Sequence, residues 1–388
     1  MTMALDPTAI VGAIRSVVGS AESVPLHAPD IGQLERKYVD ECLESTFVSS
    51  VGQSVDRFEE DVARFTGAPR AIAVANGTVA LQVALSLAGV RPGDEVVIPA
   101  LSFIATANAV AYLSAHPVFV DSEPETLGMS PAAVEEFLST TRREDGAVIN
   151  AATGRRVAAI VPMHTLGHPM RIATLMAIAD EYEIPVVEDA AESLGSWVSD
   201  RHTGTFGRLG IISFNGNKIV TTGGGGMILT NDDALADRAK HLTTTAKVPH
   251  RWEFEFDEIG YNFRLPNLNA ALGVAQLERL PAFLKEKRFV ANKYARAFAG
   301  IDGVTFLSEP PGATSNYWLC AIRVDGGLDE RDAVLEAASD QGLQCRPFWN
   351  LLSEQAPYRD EFAGSLTGAT ALHSSVVCLP SSAALAAT

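Results

Sequence analysis

The segment SFNGNKIVTTGGGGMILT, Ser213 to Thr230, places a single lysine, Lys218, between an apolar run and a glycine-rich turn that leads into a second apolar run. A lysine partly buried among polar groups can be neutralised and made nucleophilic, which is what Schiff-base chemistry with a carbonyl carbon requires. Gly223 to Gly226 would allow backbone to come close to it. Taken alone, the same residue reads as a surface lysine in a loop. The glycines do not read as a dinucleotide site, because a Rossmann glycine turn opens a helix and MILT after Gly226 reads as a strand.

A second element is VVEDAAESLGS, where Asp189 closes the apolar run that begins at Pro185. Ligands of open α/β sheets sit at the carboxyl ends of strands. A carboxylate there can pair with a protonated pyridine nitrogen and keep the ring an effective electron sink. Asp189 can equally be read as the cap of a helix over AAESL. A third element is AVANGTVALQVAL, in which Asn76-Gly77-Thr78 opens a run of good helix formers. The free N–H groups and dipole of such a helix start form an anion site, and Ser213 can add a hydroxyl. In LSFIATANAV, Phe103 follows a strand and could lie flat on a ring. In EIGYNFRLPN, Asn262 and Arg264 alternate with aromatics ahead of a helix. HTLGH at His164 carries two histidines four apart, but Gly167 and Pro169 oppose a helix and no third ligand is in view, so no metal site is expected.

These residues need a scaffold that brings them together. Short β-branched runs alternate with segments of helical period from Ala71 onward, the pattern of a parallel sheet covered by helices. Strands are expected over Ala71–Ala75, Glu95–Pro99, Pro117–Val120, Val157–Met163, Pro185–Asp189, Ile211–Phe214 and Gly226–Thr230. REDG and AATGRR, before Val157, read as a surface excursion and an exposed turn. Pro266 to Gly300 is helical in period, with Pro281 expected to break or kink it. Beyond Ile301, a strand over Tyr317–Val324 and a helix over Asp329–Gln341 indicate a small α+β unit. The division is therefore 1–265 for the amino-terminal segment and large α/β domain, 266–300 for connecting helices, and 301–388 for a smaller domain.

Composition narrows the partners. A net charge of −17 over 388 residues argues against nucleic acid, whose binding needs clustered Lys and Arg. The apolar patch from Ala9 to Ile14 has Asp6 before it, no basic n-region and Arg15 at its end, which is wrong for a signal peptide. No run approaches transmembrane length, so no membrane association is expected. Cys42, Cys320, Cys345 and Cys378 lie far apart with no paired spacing, which fits a reducing cytoplasm.

With a lysine, an aspartate, a phosphate-binding turn and a stacking aromatic in this order, the sequence resembles the DegT/DnrJ/EryC1/StrS family of pyridoxal-phosphate sugar aminotransferases nearly end to end. NGTVAL from Asn76, EDAAESLGS from Glu188, SFNGNKIVTTGGGGM from Ser213 and GYNFRLPNLNAALG from Gly260 carry the likeness. The resemblance implies fold type I: a mostly parallel seven-stranded sheet with helices on both faces, plus a smaller α+β carboxy-terminal domain. It implies that Lys218 holds pyridoxal 5'-phosphate as a Schiff base and shuttles the proton, and that Asp189 pairs with the pyridine nitrogen. Gly77, Thr78 and Ser213 would hold the phosphate, and Phe103 would stack on the ring. Glu192 falls where a polar residue, often His or Gln, lies near the ring. Asn262 matches a residue that reaches the phosphate of the neighbouring subunit's cofactor, which implies a homodimer with shared active sites.

Asn215, also placed at the cofactor, departs from the histidine that many relatives carry in an SFH motif. The SFNGNK form looks like the branch acting on nucleotide-linked 4-keto-6-deoxy-N-acetylhexosamines, of the bacillosamine and legionaminic acid type. VPMHTLGHP at Val161 and RPFWN at Arg346 are similar to that branch as well. The implied reaction moves an amino group from glutamate to the C4 ketone of the sugar, for surface polysaccharide or nonulosonic acid biosynthesis. The alternatives are a perosamine-type enzyme acting on GDP-4-keto-6-deoxymannose, a sugar dehydratase of the same family, and a non-catalytic regulator that binds the cofactor. Dehydratase relatives tend to carry histidine where Lys218 stands.

Overall fold

The computed structural model describes residues 5–388. Each of the seven apolar runs forms a strand: β1 Arg70–Val74, β2 Glu95–Pro99, β3 His116–Val120, β4 Val157–Ile160, β5 Val187–Asp189, β6 Leu209–Ser213 and β7 Gly226–Thr230. They lie in two sections, β1-β7-β6-β5 and β4-β2-β3. Parallel bridges from Ile160 to Val186 and from Met163 to Asp189 join the sections into one seven-stranded layer. β7 runs antiparallel between β1 and β6, and the other ladders are parallel. β4 and β5 are shorter than their apolar runs. Pro162 and Pro185 have no N–H to give to a ladder, so pairing there is reduced to single bridges.

The chain also forms α1 Pro7–Val18, α2 Gln33–Ser45, α3 Gln53–Thr66, α4 Gly77–Leu87, α5 Ile104–Ala111, α6 Pro131–Ser139, α7 Ile172–Tyr182 and α8 Asp233–Thr243. The long α9, Asn267–Phe298, is followed by α10 Leu328–Asp340 and α11 Thr367–Ser375. Side chains alternate across a strand, and the sheet separates them cleanly. Ile72, Val74, Val96, Ile98, Ile211 and Ile228 face α4, α5 and α8. On the other side, Ala71, Ala73, Ile212, Met227 and Leu229 face α3 and the first half of α9. Val97, Val118 and Val120 face α6 and α7. Helices on both faces account for strands that read as unbroken apolar runs.

A second sheet of β8 Val304–Phe306, β9 Cys320–Val324, β10 Arg346–Pro347 and β11 Val376–Leu379 is antiparallel, in the order β8-β9-β11-β10. β9 begins at Cys320, later than the expected Tyr317, because Tyr317 has φ of 49° and cannot sit in a pleat. Residues of β9 and β11 share a core with α10, the second half of α9 and, from the opposite end of the sequence, α1. The REDG stretch turns a short hairpin between the exposed Arg142–Glu144 and Ala147–Ile149, whose Val148 is buried. Among the described residues, no helix is long and apolar enough to cross a membrane.

Two of the alternatives read locally from the sequence are not realised. No helix forms over AAESL; after β5 the chain goes through turns, and Asp189 Oδ1 accepts the N–H of Ala191 at 3.2 Å. Pro281 does not end a helix either, since α9 continues through it for 32 residues, about 48 Å of helix. Leu280 and Phe283, almost wholly buried on either side, hold the segment in place despite the missing hydrogen bond to the Leu277 carbonyl. Pro281 itself is exposed, so Pro281→Ala restores that bond without disturbing the core. A gain of about 1–3 kcal/mol is expected, smaller where added freedom of the unfolded chain offsets it. Urea denaturation of the two proteins measures it, and an unchanged or lowered midpoint would refute it.

Candidate active site

The carboxyl ends of β1, β2, β5 and β6 meet at one edge of the sheet, where a cavity of about 760 Å³ opens. Gly77, Thr78, Phe103 and Asp189 line it. Glu192, Ser213, Asn215 and Lys218 line it as well, so eight of the nine residues singled out in the sequence converge. The ninth, Asn262, is exposed and does not line the cavity; its Oδ1 accepts from Arg264 Nε at 3.1 Å.

Lys218 sits in the turn that follows β6, with its N–H on the carbonyl of Asn215 at 2.9 Å. Its ammonium is 3.3 Å from Glu192 Oε1 and 4.0 Å from the centre of the Trp318 ring. The other oxygen of Glu192 accepts the N–H of Leu166 at 2.8 Å. Leu166 is buried with φ of 56°, a conformation that costs a branched residue energy and persists where the surroundings impose it. Burial raises the Glu192 carboxyl to about 7, and the Lys218 charge works against that rise. The turns over AAESL bring Glu192 back beside the lysine, which a helix there would not do.

Asp189 is buried at the end of β5 and accepts the hydroxyl of Thr106 on Oδ2 at 2.9 Å. Burial pushes its carboxyl above the ordinary aspartate value, while Thr106, the Ala191 N–H and Lys218 pull the other way. Its neighbour Glu188 takes His164 Nε2 at 2.9 Å and the N–H groups of Gly204 at 2.9 Å and Gly207 at 2.6 Å. Burial alone would raise the Glu188 carboxyl, but these donors outweigh it and hold it below the ordinary glutamate value. His164 is thus a buried partner of Glu188, standing just before a short 3₁₀ turn and not in an α-helix.

The phosphate-type turn takes the form read from the sequence. Asn76 caps α4 by accepting the Val79 N–H at 3.0 Å, leaving the Gly77 and Thr78 amides at the helix mouth without intrahelical partners. A Cβ at Gly77 would lie 3.0 Å from Cβ of Ser213, so glycine keeps that mouth open. The glycine run has a different task from the one expected. A Cβ at Gly226 would lie 2.5 Å from the Asn76 backbone, and one at Gly225 would meet Thr222. Gly226 therefore lets β7 press against the helix-opening turn and Gly225 makes room for the Thr222 side chain, and neither added Cβ would meet Lys218. Phe103 stands at the start of α5 and is 54% exposed.

Pyridoxal phosphate fits these residues on three counts. An amine faces the cavity, an anion-binding helix mouth opens onto it, and the buried Asp189 carboxylate has no cation in hydrogen-bonding contact, which a protonated pyridine nitrogen would supply. Lys218 would bond the aldehyde carbon, Gly77, Thr78 and Ser213 would take the phosphate, and Phe103 would cover one ring face. Reading from sequence missed Thr106, which orients Asp189, and Trp318, which lies against Lys218. Thr106 had a signal in its place one helical turn beyond Phe103 and Ser102. Trp318 had none, since it arrives from the far end of the chain.

The raised value of Glu192 has a consequence for the cofactor-free protein. The folded state keeps a proton on Glu192 that the unfolded chain has already lost, so this stabilisation is complete below the ordinary glutamate value and is lost as pH rises toward about 7. Glu192→Gln should flatten the fall of thermal midpoint with pH over that window. Parallel curves for the two proteins would show that Glu192 titrates normally.

The sequence model of the DegT/DnrJ/EryC1/StrS aminotransferase family matches residues 29–388. The chain is 37% identical over 366 residues to EpsN of Bacillus subtilis (strain 168), a protein assigned to the pyridoxal phosphate-dependent aminotransferases, covering 93% of this chain and 91% of EpsN. It is 34% identical over 339 residues to the GDP-perosamine synthase of Escherichia coli O157:H7, covering 87% and 88% of the two chains. The crystal structure of the aminotransferase TlmJ from Streptoalloteichus hindustanus superposes with a TM-score of 0.84 at 32% identity, over 92% of this chain and 93% of that one. Likeness of this extent is more than a shared fold: the chain belongs to the DegT/DnrJ/EryC1/StrS aminotransferase family and is a pyridoxal-phosphate-dependent sugar aminotransferase.

Proposed function

We propose that the enzyme transfers the amino group of glutamate to the C4 ketone of a nucleotide-linked 4-keto-6-deoxy-N-acetylhexosamine, in surface polysaccharide or nonulosonic acid biosynthesis. The observation that carries the transfer is Lys218, held 3.3 Å from a buried carboxyl in a cavity that Asp189 also lines. Bound pyridoxal phosphate supplies an electron sink for the carbon that bears the transferred nitrogen. Lys218 moves the proton to and from that carbon. Asp189 would keep positive charge on the ring nitrogen, and Thr106, donating to its Oδ2, would hold it in place. A histidine in place of Lys218 would favour loss of a hydroxyl, so the lysine supports amination.

Support for a nucleotide-linked substrate comes from Arg346. Among the residues lining the cavity, only Lys218 and Arg346 are basic, and the Arg346 Nη1 donates merely to the carbonyl of its neighbour Cys345 at 2.9 Å. A diphosphate entering beside it meets a guanidinium free to bind in two-point fashion. We also propose a homodimer in which Asn262, away from the cavity of its own chain, reaches the cofactor phosphate of the partner. Four buried free cysteines support a cytoplasmic location. Similarity to a GDP-perosamine synthase favours a second reading, with GDP-4-keto-6-deoxymannose as acceptor.

Purified enzyme with pyridoxal phosphate and glutamate, offered the UDP-linked N-acetylated ketone and GDP-4-keto-6-deoxymannose in turn, distinguishes the two by mass of the aminated product. Amination of the GDP sugar alone would replace the first reading with the second. Lys218→Ala should lower turnover by at least about a hundredfold and leave no cofactor attached after borohydride reduction. Near-normal transamination by that variant would end the assignment of Lys218. Arg346→Ala should raise the KM for the nucleotide sugar by about tenfold to a hundredfold, and an unchanged KM would remove the diphosphate contact.

A further inference from the structure

Lys218 is the one residue whose job requires it to let go. If it is bonded to the cofactor at rest and displaced by the substrate amine, the freed side chain needs a place to wait, close enough to act. Three segments, distant in sequence, converge on such a place. The first is the 164–168 turn, whose left-handed Leu166 gives its N–H to Glu192. The second is the 192–196 turn, which carries Glu192 itself. The third is Ser315–Leu319, which carries Trp318.

Asn316 fastens the three together. Its Nδ2 donates to the carbonyls of Glu192 and Leu194, both at 2.9 Å, its Oδ1 accepts the Trp318 N–H at 2.7 Å, and its own N–H goes to Ser196 Oγ at 2.9 Å. A Cβ at Gly167 would lie 1.9 Å from Asn316 Oδ1, so the turn and the asparagine are fitted to each other. Trp318 is then held at two further points, and its neighbour Leu319 at a third. Its indole N–H donates to the carbonyl of Asn217 at 2.8 Å, its carbonyl accepts from the buried Lys287 ammonium at 2.9 Å, and Leu319 donates to Leu166 at 3.3 Å. The ring is 5% exposed with its residue, and its face meets the Lys218 ammonium at 4.0 Å. A hydrophobic residue required only for packing would need none of this fixation.

We propose that Glu192 and the face of Trp318 form a holding site for the free ammonium of Lys218, with Trp318 as a positioning residue of the transamination. The carboxylate takes the cation from one side and the indole from another, so the lysine remains over the cavity instead of swinging into solvent. The other charged or titratable groups around this point include Asp189, Cys378, Arg346, the buried His27 and Lys287. None of them gives Lys218 a hydrogen bond, so the cation depends on the two groups named. This inference rests on the assignment of Lys218 as the cofactor-bonding lysine.

Two variants test it. Trp318→Leu removes the ring, while Trp318→Phe loses the indole N–H bond and some volume but keeps an aromatic face. In the cofactor-free protein, acylation of Lys218 by an amine-reactive ester, followed by mass spectrometry of its peptide, reads how firmly the ammonium is held. Labelling should be about tenfold faster in Trp318→Leu and within about threefold of the parent in Trp318→Phe. In the loaded enzyme, single-turnover conversion of the bound cofactor by glutamate should slow by a similar factor in Trp318→Leu, with little change in the glutamate concentration giving half the maximal rate. Trp318→Phe should recover most of that speed. Equal labelling and turnover in parent and Trp318→Leu would overturn the proposal, as would a phenylalanine variant no better than the leucine one, since the bond to Asn217 would then be responsible. If borohydride fails to fix cofactor on Lys218 in the parent enzyme, the functional assignment falls first and takes this inference with it.

Discussion

Two adjacent carboxylates, Glu188 and Asp189, are buried at the end of a three-residue strand, and satisfying both organises the site around them. Neighbouring residues of a strand point to opposite faces, so one strand end serves two purposes. Glu188 turns into the protein and is used up by His164 and by the amides of the loop from Gly204 to Gly207. Asp189 turns toward the cavity and is left with a hydroxyl and one amide, short of the four interactions a buried carboxylate can accept. A saturated anion beside an undersupplied one separates structure from chemistry within a single dipeptide. The first fixes the loop, and the second keeps hydrogen-bonding capacity toward the cavity it lines.

Sequence legibility followed the range of the interactions involved. β5 to β7 and the cap at Asn76 depend on neighbours within a few residues, so alternation and capping chemistry exposed them. The glycine run was located correctly but assigned the wrong neighbour, because the Asn76 turn that it approaches is about 150 residues away in sequence and close only across the β1–β7 ladder. AAESL, which locally reads as either a capped helix or a site turn, takes the turn for a related reason. Its local propensity is helical, yet the hydrogen bonds offered by Asn316 to Glu192 and Leu194 from the carboxy-terminal region favour turns. Trp318 itself carries no motif and became visible only when the chain was folded.

The site also shows how an acidic protein can accept an anionic substrate. Net charge acts at long range and is screened by salt within about a nanometre, whereas a helix mouth and a single guanidinium act in contact with the ligand. Several acidic side chains that pair with arginine, such as Asp233 and Asp237 with Arg70 or Glu183 with Arg143, do so on the outside. Within the cavity, burial raises the carboxyls of Asp189 and Glu192 above their ordinary values.

The packing of α1 bears on how the molecule is assembled. Ile10, Val11 and Ile14 are fully buried, but their partners in the core include Ile322 and Val324 on β9 and Val377 on β11. A ribosome makes α1 well before those strands, and before the second half of α9 and α10 that also cover it, so the helix's apolar stripe has no permanent cover through much of synthesis. The sheet and its flanking helices can condense in the meantime, while α1 must wait and dock late. Such long-range closure slows folding and leaves a sticky surface exposed on the way. In an expression host, the yield of this protein should therefore depend more on chaperone supply and growth temperature than the stability of its finished core would suggest.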